Sequence, residues 1–94
     1  MGIDNNGLLS LIQKLNEEIK KLGATIIFIN LLNDNSLRKK ADSIMLLQGL
    51  INRNLQVGNY RSVLHYVIAL NILVQDLKRY DIVVREKITH FLLV

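Results

Sequence analysis

Apolar side chains in this sequence recur at alternating steps of four and three residues, and this spacing limits the chain to helical folds. The clearest run begins at Leu8 and continues through Ile12, Leu15, Ile19 and Leu22. Residues at these steps share one face of an α-helix, because the helix completes a turn every ~3.6 residues. Proline, the strongest helix breaker, is absent. The pattern therefore predicts an all-α chain.

The first predicted helix begins after a polar cap within residues 4–6, and two endings fit the pattern. Gly23 ends the helix if it adopts a left-handed conformation. The same apolar phase also continues through Ile29, which extends the helix to about Leu32. The segment 25–29 is apolar on both faces and is the one arguable strand. We interpret it as helix, because no second convincing strand is present to pair with it.

A second helix is predicted between the polar turn at residues 33–36 and a C-cap at Gly58, where the helical pattern is interrupted again. Gln48 lies beside its apolar stripe and is expected to meet either a partner or a polar group inside the bundle. The stripe itself consists of Leu37, Ala41, Ile44, Leu47, Ile51 and Leu55.

A third helix is predicted from Asn59 or Tyr60 to Lys78 and Arg79, whose positive charge suits a helix C-terminus. Its inner stripe contains Tyr60, Val63, Val67, Leu70, Val74 and Leu77. Asp81 is then expected to cap a short fourth helix that carries Val84, Ile88, Phe91 and Leu92.

The short connections between these helices make consecutive helices antiparallel. The expected fold is therefore an antiparallel bundle of three to four helices with up-down connectivity. Residues 1–94 are expected to form this bundle as a single domain, since no linker, low-complexity segment or long repeat divides them.

The chain carries more aliphatic side chains than such a bundle needs. Half of its 94 residues are apolar, including 18 Leu and 12 Ile. A four-helix domain of this size has roughly 32 core positions. The surplus predicts a second apolar surface that contacts a partner, most simply a second copy in a dimer. The candidate interface residues are Ile26, Ile29, Asn30, Leu64, Ile68, Asn71 and Ile72.

Asn30 and Asn71 belong to this set because each interrupts an apolar run. An amide in an apolar interface fixes its register and oligomeric state at some cost in stability. We therefore expect at least one of the two to lie at a contact between helices or subunits. The alternative is an asparagine exposed to solvent on an otherwise apolar helix.

No residue cluster predicts catalysis, a metal site or a cofactor. The sequence has no cysteine, and its two histidines, His65 and His90, are too few for a metal site. The five glycines are isolated, so no phosphate-binding loop is present. We therefore predict a protein that is not an enzyme and binds no cofactor.

Two short segments resemble known families. Arg85 and His90, separated by four residues, resemble the motif of HEPN-type helical ribonuclease domains, in which the Arg and His act on RNA. The segment from Gly58 to Leu64 resembles the turn between the two helices of a tetratricopeptide repeat. Both matches are short. Glu86 departs from the first family's usual polar or amide residue, and no second copy of the repeat follows. We interpret the second segment as a generic helical hairpin.

The net charge of +4 and the basic run Arg38, Lys39 and Lys40 suggest an alternative anion or nucleic-acid patch. Acidic residues are interleaved with these bases, and few aromatic residues accompany them, whereas nucleic-acid sites combine clustered charge with stacking or groove-reading groups. A solvated helix face is therefore the preferred interpretation of this run.

The sequence thus predicts a non-enzymatic helical module for protein–protein interaction, which self-associates or docks a partner through an apolar helix face. A small basic nucleic-acid-binding protein is the main alternative, and a small inhibitor or immunity-type protein is the third. We expect a cytoplasmic location, because the chain lacks cysteine, a signal peptide and any apolar run long enough to span a membrane.

Overall fold

The computed structural model describes residues 4–31 and 34–93, and these residues form four α-helices and no strand. The helices are α1 (Asn5–Lys21), α2 (Gly23–Leu31), α3 (Asn35–Gln56) and α4 (Tyr60–Leu93). The predicted all-α bundle is confirmed, and segment 25–29 is helical rather than extended. Leu32 and the side chains of residues 88 and 91 lie outside what the structure describes.

Polar caps start two of the helices where the sequence placed them. The Asp4 carboxylate accepts a hydrogen bond from the Gly7 amide at 2.6 Å, at the N-terminus of α1. The Asp34 carboxylate accepts from the amides of Ser36 and Leu37 at 3.0 and 3.2 Å, at the N-terminus of α3. Each aspartate therefore satisfies amides that have no partner within the helix.

A single residue, Leu22, separates α1 from α2. Its amide donates to the carbonyls of Glu18 and Ile19, and its own carbonyl accepts from the Ile26 amide at 2.9 Å. Of the two endings that the sequence left open, the left-handed cap at Gly23 is wrong, because Gly58 is the one glycine in the described residues with a positive φ. The chain is instead interrupted briefly beside a residue of low helix propensity and then resumes its helix.

The turn between α3 and α4 follows the prediction. Gly58 has a φ of 76°, and its amide donates to the Leu55 carbonyl at 3.2 Å. The Asn59 amide donates to the Asn54 carbonyl at 2.9 Å. This pair of bonds, with glycine in the left-handed conformation, is a Schellman motif that closes α3.

The predicted break between a third and a fourth helix is wrong, because α4 continues without interruption through Tyr80 and Asp81. No glycine or proline lies near this point to stop the helix. Asp81 does not cap a helix. Its carboxylate instead accepts hydrogen bonds from the side chains of Thr25 and Arg85.

Contacts between side chains establish the direction of α3 relative to α4. Lys40 lies 3.6 Å from Asp76, measured between Nζ and Oδ2. These residues are equally far from the turn at residues 57–59, so α3 and α4 run antiparallel.

The first arm, α1 with α2, runs in the same direction as α4. Lys78 Nζ lies 3.4 Å from Glu18 Oε1, and further along both helices Thr25 binds Asp81. The order of α1 and α2, then α3, then α4 is therefore up-down-up, as the short connections predicted.

The core lies where these arms meet, and α4 supplies its central stripe. Every fourth or third residue of α4 from Val63 to Leu77 is buried, which agrees with the predicted inner stripe apart from exposed Tyr60. The buried cluster contains Leu8, Ile12, Leu15, Leu22, Ile29, Ala41, Ile44, Ile51, Val63, Val67, Leu70, Val74 and Leu77.

One polar pair accompanies this core. Gln48 Nε2 donates to Asn16 Oδ1 at 3.2 Å, joining α3 to α1. Gln48 thus meets a polar group inside the bundle, one of the two expectations from its position beside the apolar stripe.

At 34 residues, α4 extends along the longest dimension of the molecule, 52 Å. Among the helices of the described residues, none is at once long and apolar enough to cross a membrane.

Candidate interaction surface on α4

The candidate interface residues of α2 do not form a shared exposed surface. Ile29 is fully buried in the core of its own chain, and Ile26 packs against that core while remaining partly exposed. Only Asn30 of this group is exposed. Ile29 is therefore a core residue, because its own helices already cover it completely.

The candidate interface residues of α4 do lie together on the outside of the bundle. Leu64 is half-buried at the margin, while Ile68, Asn71 and Ile72 are exposed. The Asn71 side-chain oxygen accepts a hydrogen bond from the Gln75 amide group at 3.3 Å. This hydrogen bond joins two residues of the same helix. Asn71 therefore lies beside an exposed apolar face and contacts its own helix.

This exposed apolar face continues further along α4 than the sequence pattern predicted. Ile68, Ile72, Ile82 and Val83 are 53%, 58%, 58% and 44% exposed. Scattered apolar residues are normal on a protein surface, but an aligned series on one helix face marks a candidate contact surface. The sequence pattern did not assign Ile82 and Val83 to this face, because a helix break was predicted near Asp81 and the periodicity of the third helix was not followed past it.

Six residues along this face are spaced by four, three, four, three and four positions, the spacing of a coiled-coil contact. We call them the α4 seam: Ile68, Ile72, Gln75, Arg79, Ile82 and Glu86. The seam covers about 27 Å of helix, because each residue advances the axis by ~1.5 Å.

The positive charge of Arg79, at the centre of the seam, is partly offset by a neighbouring carboxylate. Arg79 Nη2 lies 3.3 Å from Asp76 Oδ1, and the other carboxylate oxygen of Asp76 lies 3.6 Å from Lys40 Nζ. Ion pairs this exposed add little to stability. Because Asp76 carries one negative charge and contacts two cations, it offsets only part of the positive charge of Arg79 and Lys40.

Other exposed apolar residues form shorter groups. Met45 and Leu46 are neighbours on α3, and Ile27 and Leu31 lie one turn apart on α2. Within the described residues, α4 has the longest aligned series of exposed aliphatic side chains.

The basic run at residues 38–40 is divided between different contacts. Arg38 Nη2 donates to the Asn30 carbonyl at 3.2 Å, near the C-terminus of α2, where positive charge is favourable. Lys40 pairs with Asp76, and Lys39 is exposed. Two of the three side chains therefore have partners inside the chain, and the run does not converge on one anion site.

A polar cluster joins α2 to α4 beside an open cleft. Thr25 Oγ1 donates to Asp81 Oδ1, and Arg85 Nε donates to Asp81 Oδ2 at 2.8 Å. The Thr25 hydrogen bond lowers the pKa of Asp81 below its ordinary value, and the bond and charge of Arg85 add to this, whereas burial opposes it. The adjoining cleft of about 500 Å³ is lined by Ala24, Thr25, Phe28, Val84, Arg85 and Thr89.

This cluster has the properties of a structural contact rather than of an acid–base centre. Both oxygens of Asp81 already accept hydrogen bonds, so the carboxylate is held in its charged form. Arg85 also lines a shallow hollow with His90, but its Nε is bound to Asp81. Across residues 4–31 and 34–93, no three His, Asp or Glu side chains are grouped to hold a metal ion.

Comparison with known proteins yields no relative: no protein-family model matches the chain, and neither a curated protein nor a solved structure is detectably similar to it.

Proposed function

We propose that this protein is a non-enzymatic helical module that self-associates through the α4 seam. The observation that carries this proposal is the exposure of Ile68, Ile72 and Ile82, each more than half accessible, along one face of the central helix. An a/d-type spacing gives such a face a natural complement in a second helix with the same spacing. A second copy of this chain supplies that helix.

The apolar character of the seam explains why association is favourable. Fully burying an isoleucine stabilises a protein by about 1.5–3 kcal/mol relative to leaving it exposed, so covering a half-exposed one gains roughly half of that. In a two-fold dimer each seam isoleucine occurs twice, once in each copy, so its burial contributes twice to the stability of the dimer. Loss of translational and rotational freedom opposes this gain, which makes the expected dimer concentration-dependent.

The proposed setting is the cytoplasm. Absence of cysteine fits a reducing compartment, where a helical domain is stabilised by its core rather than by disulfides. The nucleic-acid alternative relied on residues 38–40 acting together, and two of these side chains are engaged within the chain. The self-associating module is therefore the function that the described contacts favour.

A matched pair of charge substitutions tests the proposal. Ile72→Asp places a carboxylate on the seam, whereas Met45→Asp places one at a similarly exposed apolar position on α3. We expect light scattering after size-exclusion chromatography to show a monomer for Ile72→Asp and a dimer for Met45→Asp. Circular dichroism checks that both variants remain helical.

Two results would contradict the proposal. If both variants stayed dimeric, the α4 seam would not be the contact surface. A monomeric wild-type chain that shifts on a gel with nucleic acid, and loses this binding steeply as salt rises, would support the nucleic-acid alternative instead.

A further inference from the structure

We infer that two copies pair their α4 helices in antiparallel orientation about a two-fold axis at the level of residue 77, so that Ile72 of each copy meets Ile82 of the other. This inference rests on the proposed self-association and adds the orientation and register of the two chains.

The spacing of the α4 seam is the first argument, and it permits a two-fold antiparallel contact. Its steps of four, three, four, three and four residues read the same in both directions. In a two-fold contact, residue i meets residue j of the second copy, and j then meets i. An antiparallel axis at the level of residue 77 pairs the six seam residues with one another, and the chemistry of the pairs distinguishes it from axes shifted by a heptad.

The chemistry of the paired residues is the second argument. An axis at position 77 sets Ile72 against Ile82 of the second copy, so apolar residues meet. It also sets Gln75 against Arg79 of the second copy, where the amide oxygen accepts from the guanidinium. In the outermost layer Ile68 meets Glu86, which is exposed at the edge of the contact.

A shift of one heptad gives a poorer match. With the axis between positions 73 and 74, Arg79 faces Ile68 of the second copy, and Gln75 faces Ile72. Both inner layers then set a polar group against an apolar side chain, which is unfavourable, whereas the axis at position 77 does so only in the exposed outermost layer.

Parallel pairing is disfavoured by charge. In that orientation each residue meets its own counterpart, so Arg79 faces Arg79 and Glu86 faces Glu86. Like charges placed against each other at an interface oppose association. The antiparallel register separates the two Glu86 side chains by about 27 Å along the axis and the two Arg79 side chains by about 6 Å, so neither like-charged pair shares a layer.

Because the chain contains no cysteine, single cysteines placed on the seam report orientation without interference. We would prepare Ile72→Cys and Ile82→Cys, confirm by light scattering that each is dimeric, and oxidise each alone and as an equimolar mixture. The expected result on a non-reducing gel is a cross-linked dimer in the mixture, with little in either variant alone. In the proposed register, like positions lie ten residues apart, about 15 Å along the axis, whereas a disulfide needs Cα atoms within about 7 Å.

Asn52→Cys, at an exposed position of α3, measures cross-linking by random collision. Cross-linking of each single variant to itself would show parallel pairing and overturn the inference while leaving self-association intact. The register would also be overturned if both variants were dimeric but their mixture gave no more cross-linking than the Asn52→Cys control. If the wild-type chain is monomeric, the proposed function fails together with the inference.

Discussion

Thr25 donates its hydroxyl proton to Asp81, 56 residues further along the chain, and thereby fixes α2 against the middle of α4. Thr25 is only 5% exposed and is the one buried polar residue among those the structure describes. Asp81 also accepts from Arg85, so a single carboxylate joins two helices and stabilises one turn of α4.

Removing the Thr25 hydroxyl tests this contact. Thr25→Val keeps the shape of the side chain but removes the donor, so we expect the free energy of unfolding to fall by about 1–2 kcal/mol. Thr89→Val is the matched control, because Thr89 is an exposed threonine on α4. Urea denaturation measures both variants, and equal stability of the two would contradict a structural role for Thr25.

The lowered pKa of Asp81 predicts how this stability depends on pH. Because the pKa is lower in the folded chain than its ordinary value of 3.8, the contribution is fully present above that value. It is lost as the pH falls through the folded pKa. The stability difference between the wild type and Asp81→Asn should therefore shrink in acid, and a difference that stays constant with pH would contradict the assignment. In Thr25→Val, NMR titration should show a higher pKa for Asp81.

Two glycines should respond to alanine in opposite directions. Gly58 has a positive φ, which alanine adopts only with strain, so Gly58→Ala should destabilise the chain by about 1 kcal/mol. Gly49 lies inside α3, with nothing within 4 Å of an added Cβ atom. Gly49→Ala should stabilise the chain by about 0.5–1 kcal/mol. Thermal denaturation distinguishes these outcomes, and a change of the same sign in both would contradict the backbone assignment.

The buried stripes could be predicted from the sequence because helical spacing alone determines which residues share a face. Val63, Val67, Leu70 and Val74 are all buried as their spacing indicated. The cap at Asp34 and the turn at Gly58 were likewise readable, because both depend on residues adjacent in the chain.

Contacts between distant residues could not be predicted in this way. Asp81 comes shortly after the basic pair at residues 78 and 79, and aspartate is a common N-cap residue, so the local sequence indicates a helix start. Its actual partner, Thr25, lies in another helix. The false break at this point divided the seam, so Ile82 and Val83 were assigned to no surface. Whether Ile68 is exposed and Ile29 is buried likewise depends on how the helices pack against one another. The apolar spacing within a single helix does not reveal this packing.

Asp76 should influence association as well as folding. Asp76→Asn removes the carboxylate that Arg79 and Lys40 share, which raises the net positive charge near the proposed two-fold axis. We expect the dimer affinity to fall by about three- to tenfold at low salt, with the loss shrinking at high salt, where charges are screened. Asp42→Asn, on the exposed surface of α3, is the control. Sedimentation equilibrium measures both affinities, and equal effects of the two substitutions would contradict the role of Asp76.

The most direct test of self-association is the solution mass of the wild-type chain, measured by light scattering after size-exclusion chromatography at low and high salt. Association through an apolar seam predicts a mass about twice that of the 10.8 kDa chain at sufficient concentration, and this mass should persist in high salt. A mass of 10.8 kDa at every concentration would contradict the account.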